Sequence, residues 1–272
     1  MSRRSTEADV ITASGAPITR ARLVDDLRAL GVETGDVLCV HSALSRLGWV
    51  PGRAQTVLLA LLDAVGPSGT LVFPAQTSHL SDPAAWENPP VPSDWVPTLR
   101  AELPGFDPAL TPTFFMGAVP ELARCHPDAV RSHHPLLSFV AIGARASELM
   151  HPHDLAPAFG EGSPLARMEA AGASALLLGV DHGHCTALHL AEYRAAWPSK
   201  RHADVSAPIL DGDGERIWHT WRDLDLDDMV HVVSEVFVSY ALLALAGESE
   251  RVGRRRAEAV VETLLHGVIA PG

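Results

Sequence analysis

The residues best suited to chemistry in this sequence lie between positions 179 and 194. An apolar run at 175–180 predicts a buried strand, and Asp181, His182 and His184 follow it directly. Open α/β sheets bind their ligands at the carboxyl ends of the strands. Histidine is the side chain whose charge changes closest to neutral pH. The segment therefore predicts a site for acid–base chemistry.

A predicted helix from Thr186 to about Ala196 adds further polar groups. Thr186, His189 and Tyr193 are separated by three and four residues, so they share one face of that helix. Glu192 lies about one turn beyond His189 and could bond the imidazole or a ligand. The alternative is a helix N-terminus whose histidines cap carbonyl groups or lie at the surface.

Other polar segments are candidates for binding a ligand. His41 and Ser42 end the first apolar run, and N–H groups with a hydroxyl at such a turn can hold a phosphate. An ordinary strand-to-helix turn also explains this pair, and on the residues alone it is the simpler interpretation. Thr111-Pro112-Thr113 and Met116-Gly117 could supply hydroxyl donors and a close backbone approach, and Ser132-His133-His134-Pro135 adds two imidazoles.

A metal site is the main competing interpretation of the histidines. His151-Pro152-His153-Asp154 and His182-Gly183-His184-Cys185 place ligand-type side chains at close spacing. The first lacks the His-x-His-x-Asp-His spacing of dinuclear zinc hydrolases, and no His-Glu-x-x-His is present. We therefore expect no metal, and a metal-dependent hydrolase that uses these four histidines is the alternative function.

Several nucleotide-binding and nucleophile motifs are missing from the sequence. There is no Gly-x-Gly-x-x-Gly and no Walker A pattern. Ser163 follows Gly162, but Leu165 breaks the Gly-x-Ser-x-Gly nucleophile elbow. The Arg/Gln-x-x-Gly-x-Gly/Ala loop with which common N-acetyltransferases hold coenzyme A is also absent.

The elements that must position these residues follow an α/β order. Apolar runs at 37–40, 69–74 and 175–180 predict buried strands, and residues 54–65 predict a helix between the first two. We expect a central, largely parallel sheet flanked by helices. The proline-rich segment 75–112 predicts an ordered loop that borders the site, since it holds two tryptophans. Residues 203–222 predict an antiparallel hairpin that turns at 211–214, and 227–246 predict a long helix.

Composition limits the classes of protein to consider. The formal net charge of -12 argues against a nucleic-acid partner and suits a cationic one. No apolar window is long enough to span a membrane, and three scattered cysteines with no signal segment indicate a cytoplasmic protein. We expect a disordered tail at 1–16 and a single domain at 17–272. The oligomeric state stays open, with a homodimer as one arrangement.

The sequence resembles the aminoglycoside 3-N-acetyltransferases, a family distinct from the common acetyltransferase superfamily. The resemblance covers about residues 18 to 250 in the family's order. It is carried by the following segments: His41-Ser42-Ala43-Leu44; Gly66-Pro67-Ser68-Gly69-Thr70-Leu71-Val72-Phe73-Pro74; Phe106-Asp107-Pro108 with Thr111-Pro112-Thr113; Arg131-Ser132-His133-His134-Pro135; and Leu177-Leu178-Gly179-Val180 with His182, Thr186 and His189-Leu190-Ala191-Glu192.

The resemblance implies transfer of an acetyl group from acetyl-coenzyme A to the 3-amino group of the 2-deoxystreptamine ring, which inactivates the antibiotic. It implies that His189 is the catalytic base and that Asp225 orients it. His182 is the competing candidate for the base, since it stands at the end of a predicted strand, where sites usually form. A hydroxyl of Thr113 or Thr186 is a candidate oxyanion donor. We expect coenzyme A at Ser42, Ala43, Leu44, Thr111, Thr113, Met116 and Gly117. We expect the polycationic aminoglycoside at Gln76, Asp107, Glu161, Glu192 and Asp223.

A non-catalytic polyamine-binding protein is a third interpretation of the sequence. An assay for release of the coenzyme A thiol distinguishes it from the enzyme.

Overall fold

A five-stranded sheet forms the centre of the computed structural model, which describes residues 7–195 and 200–225. Its strands are β1 (Val37–Ser42), β2 (Thr70–Pro74), β3 (Val130–Arg131), β4 (Phe139–Gly143) and β5 (Ser174–Leu178). They lie in the order β3-β4-β2-β1-β5. β1 pairs in parallel with β2 and β5, whereas β4 runs antiparallel to β2 and β3. Four of these strands therefore share one direction, and the predicted, largely parallel α/β sheet is confirmed.

Helices cover both faces of this sheet. They are α1 (Glu7–Ser14), α2 (Arg20–Ala29), α3 (Arg53–Val65), α4 (Val96–Glu102), α5 (Ala118–Arg124), α6 (Ala146–Met150), α7 (Pro164–Ala170) and α8 (His189–Arg194). Thr19 caps α2 as predicted, because its side chain accepts a hydrogen bond from Arg22 N. Among these described residues no helix has the length and apolar character that crossing a membrane requires.

The alternation of side chains along β1 explains how both faces are filled. Leu38 and Val40 face a core shared with α2, α3 and α5, while Val37 and Cys39 face a second core shared with α6, α7 and α8. A strand that is covered on both faces is apolar at successive positions. This is why the sequence shows β1 as a continuous apolar run rather than as an alternating pattern.

The antiparallel hairpin is confirmed as β6 (His202–Leu210) and β7 (Arg216–Leu224). Asp211 Oδ1 stabilises the connecting turn by accepting hydrogen bonds from the backbone N–H groups of Asp213 and Glu215, at 3.0 and 2.9 Å. A third apolar cluster ties this hairpin to the proline-rich segment. Its buried members are Leu80, Phe106, Leu136, Ala207 and Trp221.

The buried side chain of Arg131 connects the proline-rich segment to the sheet through hydrogen bonds. Its guanidinium donates to the carbonyl oxygens of Ala75 at 2.8 Å and Thr111 at 2.5 Å, and to Ser138 Oγ at 3.1 Å. It also lies 5.0 Å from the centre of the Phe106 ring. Burial lowers the pKa of Arg131 to about 10. The segment is therefore ordered, as its tryptophans predict, and it reaches the edge of the sheet where the strands end.

The structure corrects two details of the sequence prediction. Residues Glu7–Ser14 form α1 rather than a disordered tail, and Ser14 Oγ accepts a hydrogen bond from Trp49 N at 2.7 Å. Periodicity gives no signal there because α1 buries no residue. The run 175–180 was predicted to be a buried strand, but β5 lies at the edge of the described sheet, so Ala175 is exposed and 176–178 are only half-buried. The predicted helix at 227–246 lies outside the described residues, as does the remainder of the predicted 17–272 domain beyond residue 225.

Candidate active site

A cavity of about 670 Å³ opens where β1, β2 and β5 end. Its walls come from the residues after β1, from the start of α5 and from the turns that connect β5 to α8. Gln76, two residues after the end of β2, lines it as well, so the proline-rich segment shares a cavity with His182 and His189. This volume is in the range that encloses small-molecule ligands.

His189 begins α8 and lies on the wall of this cavity. Its Nδ1 is 2.6 Å from Oε2 of Glu192, and its ring stacks on Phe159 with a centroid distance of 5.2 Å and an interplanar angle of 9°. The carboxylate therefore holds the proton on Nδ1, which leaves Nε2 as the nitrogen able to accept another. A ring fixed by a hydrogen bond and by stacking is positioned as a general base requires.

Glu192 lies beneath this histidine and is only 1% exposed. Its second oxygen, Oε1, has no hydrogen-bond partner among the described residues. The sequence leaves two partners open for Glu192, the imidazole of His189 or a ligand, and the structure shows the bond to His189. Its helical spacing of three residues from His189 is the sequence signal that identifies the pair.

His41, the next-to-last residue of β1, lines the same cavity. Its Nε2 accepts a hydrogen bond from Thr186 N at 2.9 Å, so the neutral ring carries its proton on Nδ1. The pKa of His41 is lowered to about 4, chiefly by burial and to a smaller extent by the neighbouring His189 and His184. His41 is thus a neutral residue that fixes the turn leading into α8, a role that its sequence position does not reveal.

Two loops face each other across the cavity. Ser42, Ala43 and Leu44 form one wall, and Met116 and Gly117 form the other. The backbone φ of Gly117 is +94°, and a Cβ atom placed there would lie 3.7 Å from the carbonyl oxygen of Ser42. The structure therefore brings together five of the seven residues predicted to contact coenzyme A.

The two threonines predicted to contact coenzyme A lie outside the cavity lining. Thr111 Oγ1 accepts a hydrogen bond from Asp107 N at 3.0 Å, and Thr113 N donates to Glu121 Oε2 at 2.8 Å. Both residues form hydrogen bonds that stabilise the loop carrying Met116 and Gly117. Neither threonine contributes to the wall of the cavity. Of the two candidate oxyanion donors, Thr186 lines the cavity and Thr113 does not.

The predicted substrate carboxylates are engaged within the protein. Asp107 Oδ1 accepts from Ala109 N at 2.7 Å, and Glu161 forms an ion pair with Arg194 at 2.6 Å. Asp223 is buried and accepts from Ala158 N and Leu224 N, at 3.0 and 2.8 Å. Burial raises the pKa of Asp223 despite these hydrogen bonds. None of these carboxylates lines the described cavity, so of the predicted substrate residues only Gln76 does.

Two carboxylates bear on the orientation of His189, Asp225 from the sequence prediction and Glu192 from the structure. Asp225, predicted to orient His189, lies 4.0 Å from Arg201, and its backbone N–H donates to the Arg201 carbonyl. The carboxylate on His189 Nδ1 is Glu192. The carboxylate that contacts His189 is thus three residues away in the same helical turn, and the orienting role of Asp225 stays a prediction.

The remaining histidines are divided between the cavity and the interior. His182 and His184 belong to a single helical turn on the cavity wall, and His184 Nδ1 lies 2.8 Å from Asp181 Oδ1. His153 is buried, and its two nitrogens lie 2.9 Å from Ser132 Oγ and 2.8 Å from Ala158 O. Within residues 7–195 and 200–225, no three histidine, cysteine or acidic side chains are grouped to hold a metal ion.

Comparison with known proteins agrees with this architecture. The model of the aminoglycoside 3-N-acetyltransferase family matches residues 39–260. Aminoglycoside N(3)-acetyltransferase VIII of Streptomyces fradiae is 42% identical over 257 residues, which cover 91% of this chain and 88% of that protein.

Solved structures give the same assignment. The YokD protein of Bacillus subtilis superimposes with a TM-score of 0.81 at 37% identity, covering 86% of this chain and 85% of that one. The binary structure of AAC-IIIb with CoASH has a TM-score of 0.70 at 34% identity, covering 82% and 86%. The chain belongs to the aminoglycoside 3-N-acetyltransferase family.

Proposed function

We propose that this enzyme transfers the acetyl group of acetyl-coenzyme A to the 3-amino group of the 2-deoxystreptamine ring, with His189 as the general base. The observation that carries the proposal is the His189–Glu192 pair on the wall of the 670 Å³ cavity. Membership of the family supports the reaction, and the relative that binds CoASH supports the donor.

The pair accounts for the proton that the reaction must move. Attack by the amine on the thioester carbonyl forms the C–N bond, and Nε2 of His189 removes the proton that the nitrogen loses. Collapse of the tetrahedral intermediate breaks the C–S bond, and the imidazolium returns that proton to the departing thiolate. Glu192 stays ionised throughout and stabilises the imidazolium, as carboxylates do in catalytic triads.

The two facing loops are proposed to hold the donor. The backbone at Ser42 to Leu44 and the open space over Gly117 allow an extended, narrow ligand to approach closely. Thr186 is the candidate donor to the oxyanion, because it lines the cavity in the turn preceding His189.

The aminoglycoside is proposed to enter beside Gln76, whose amide oxygen can accept hydrogen bonds from ammonium groups. Since no carboxylate lines the described cavity, attraction of the polycation rests on the wider field of a chain with net charge -12. We further propose that acetylation protects a bacterium from the antibiotic.

The decisive experiment measures thiol release from acetyl-coenzyme A with gentamicin as the acceptor. We expect release only when both substrates are present, unchanged activity after dialysis against EDTA, and a product acetylated at the 3-amino group by NMR. Expression in a sensitive strain is expected to raise the inhibitory concentration. Binding of gentamicin without thiol release would favour a polyamine-binding protein, and loss of activity with EDTA would favour the metal-dependent hydrolase.

A further inference from the structure

The single lysine of the sequence closes the carboxyl end of α8. Lys200 Nζ donates hydrogen bonds to three backbone carbonyl oxygens, those of Glu192 at 3.1 Å, Tyr193 at 2.8 Å and Ala195 at 2.7 Å. The last carbonyls of a helix have no partner within the helix, and a cation there opposes their partial negative charge. Lys200 therefore stabilises the helix that carries both His189 and Glu192.

The ammonium group also acts on the Glu192 side chain. Burial lowers the pKa of Lys200, while the charge of Glu192 opposes that shift, so the two groups interact electrostatically. A carboxylate that is 1% exposed needs compensation when its histidine partner is neutral. Lys200 supplies a positive charge in this state, which is the state that precedes proton transfer.

The other charged groups around the pair do not supply this compensation. His41, on β1, is neutral because burial lowers its pKa to about 4. Asp223, on β7, adds negative charge beside Tyr193. Arg194, at the end of α8, is shared between two carboxylates, those of Glu161 and of Glu169 on α7.

His184 lies in the turn before α8, where it is exposed and paired with Asp181. Among the described residues, Lys200 is thus the cation that bonds the backbone of Glu192 itself.

We propose that Lys200 is a positioning residue for acetyl transfer, whose ammonium group holds the end of α8 and balances the buried charge of Glu192. The inference rests on the proposed function, because it assigns Lys200 to the same His189–Glu192 base. Without this positive charge, Glu192 attracts the proton of the dyad more strongly. His189 then stays protonated to a higher pH, and less of the base is available near neutrality.

The test follows the titration of the His189 ring by NMR in substrate-free protein, with its signal assigned by its loss in His189→Gln. In Lys200→Met we expect the midpoint to rise by about 0.5 pH unit, the size of effect a nearby partly screened charge produces. The acidic limb of kcat/KM should move by the same amount, which is about a threefold loss on that limb. Lys200→Arg keeps the charge and should leave both midpoints in place.

Arg28→Met is the matched control for loss of a helix cap. Arg28 donates to the Val32 carbonyl at 2.7 Å beyond the end of α2, far along the chain from the cavity. The Arg28→Met variant should leave the titration midpoint of His189 unchanged even if the substitution lowers the melting temperature. If Lys200→Met does not fold, acetylation of the amines of the folded parent removes the charge of Lys200, whereas reductive methylation preserves it.

The inference is overturned if the titration midpoint of His189 is unchanged in protein that lacks the charge of Lys200. It is also overturned if Lys200→Arg titrates like Lys200→Met. If the unsubstituted protein releases no thiol in the assay, the proposed function is contradicted instead. The NMR titration needs no substrate, so it still decides whether Lys200 acts on His189.

Discussion

His189 and Glu192 are joined by a 2.6 Å hydrogen bond within the first turn of α8, and only the histidine of the pair reaches the cavity. This arrangement gives the imidazole a fixed tautomer and a buried counter-charge. Asp225, near the end of β7, contacts Arg201 instead. The two carboxylates therefore differ sharply in what their removal should do.

Glu192→Gln should lower kcat by about 10²-fold or more, because the imidazolium loses its anion and the basicity of His189 falls. Asp225→Asn, which neutralises the carboxylate paired with Arg201, should change kcat less than about threefold, in line with a partly exposed ion pair. Steady-state thiol release by the two variants, at equal folded fraction, makes the comparison. A large loss in Asp225→Asn with an active Glu192→Gln would return the orienting role to Asp225.

His189→Gln should lower kcat by about 10²–10⁴-fold, the usual contribution of general base catalysis, while coenzyme A binding persists. His182→Gln is the matched change on the same cavity wall and should retain most of the turnover. Calorimetric titration with coenzyme A checks the binding site of both variants. If His182→Gln is the inactive protein, the base has been assigned to the wrong imidazole.

The sequence identifies the elements of this fold better than it identifies contacts between them. Both β1 and the hairpin are signalled by local patterns, an apolar run in one and a turn of Asp and Gly in the other. The edge position of β5 is not, since the same apolar run fits a central strand. Strand order depends on contacts between distant segments, which periodicity does not encode.

The site shows the same division. The spacing of His189 and Glu192 is local, so a helical pattern suffices to pair them. The bond from Thr186 N to His41 joins residues 145 positions apart and becomes visible only after β1 and the α8 region are folded together. The prediction that acidic side chains bind a cationic substrate was based on their charge alone. Asp107 accepts a hydrogen bond from Ala109 N two residues away, and Glu161 pairs with Arg194, which is 33 positions away; charge counting detects neither contact.

The buried histidines make the stability of the fold depend on acid. Burial lowers the pKa values of His41 and His134 to about 4 and that of His153 to about 3, whereas an unfolded histidine titrates near 6.5. The unfolded chain therefore binds these protons first as the pH falls. Stability is fully present above about pH 6.5 and is lost as the pH falls towards the folded pKa values. Each such group lowers the free energy of unfolding by up to about 1.4 kcal/mol per pH unit.

Urea unfolding between pH 7.5 and 4.5 measures this dependence. His153→Gln keeps a polar side chain opposite Ser132 Oγ, so its unfolding free energy should fall less steeply with acid than that of the parent. His202→Gln changes an exposed histidine on β6 and should retain the parent's slope. Equal slopes for the parent and the His153 variant would show that His153 does not contribute to the acid sensitivity.

Gly117→Ala tests whether the donor passes between the two facing loops. The new methyl group would lie 3.7 Å from Ser42 O, an ordinary van der Waals contact, but it would occupy the space over the backbone and force a side chain into φ +94°. We expect KM for acetyl-coenzyme A to rise about tenfold, the cost of roughly 1.4 kcal/mol of binding, with a smaller effect on KM for gentamicin. Gly172→Ala also places a side chain at a positive φ, +71°, in the turn between α7 and β5, where nothing lies within 4 Å of the added atom. It should lower the melting temperature without changing either KM. A Gly117 variant whose only defect is the stability loss seen at Gly172 would place the donor elsewhere in the cavity.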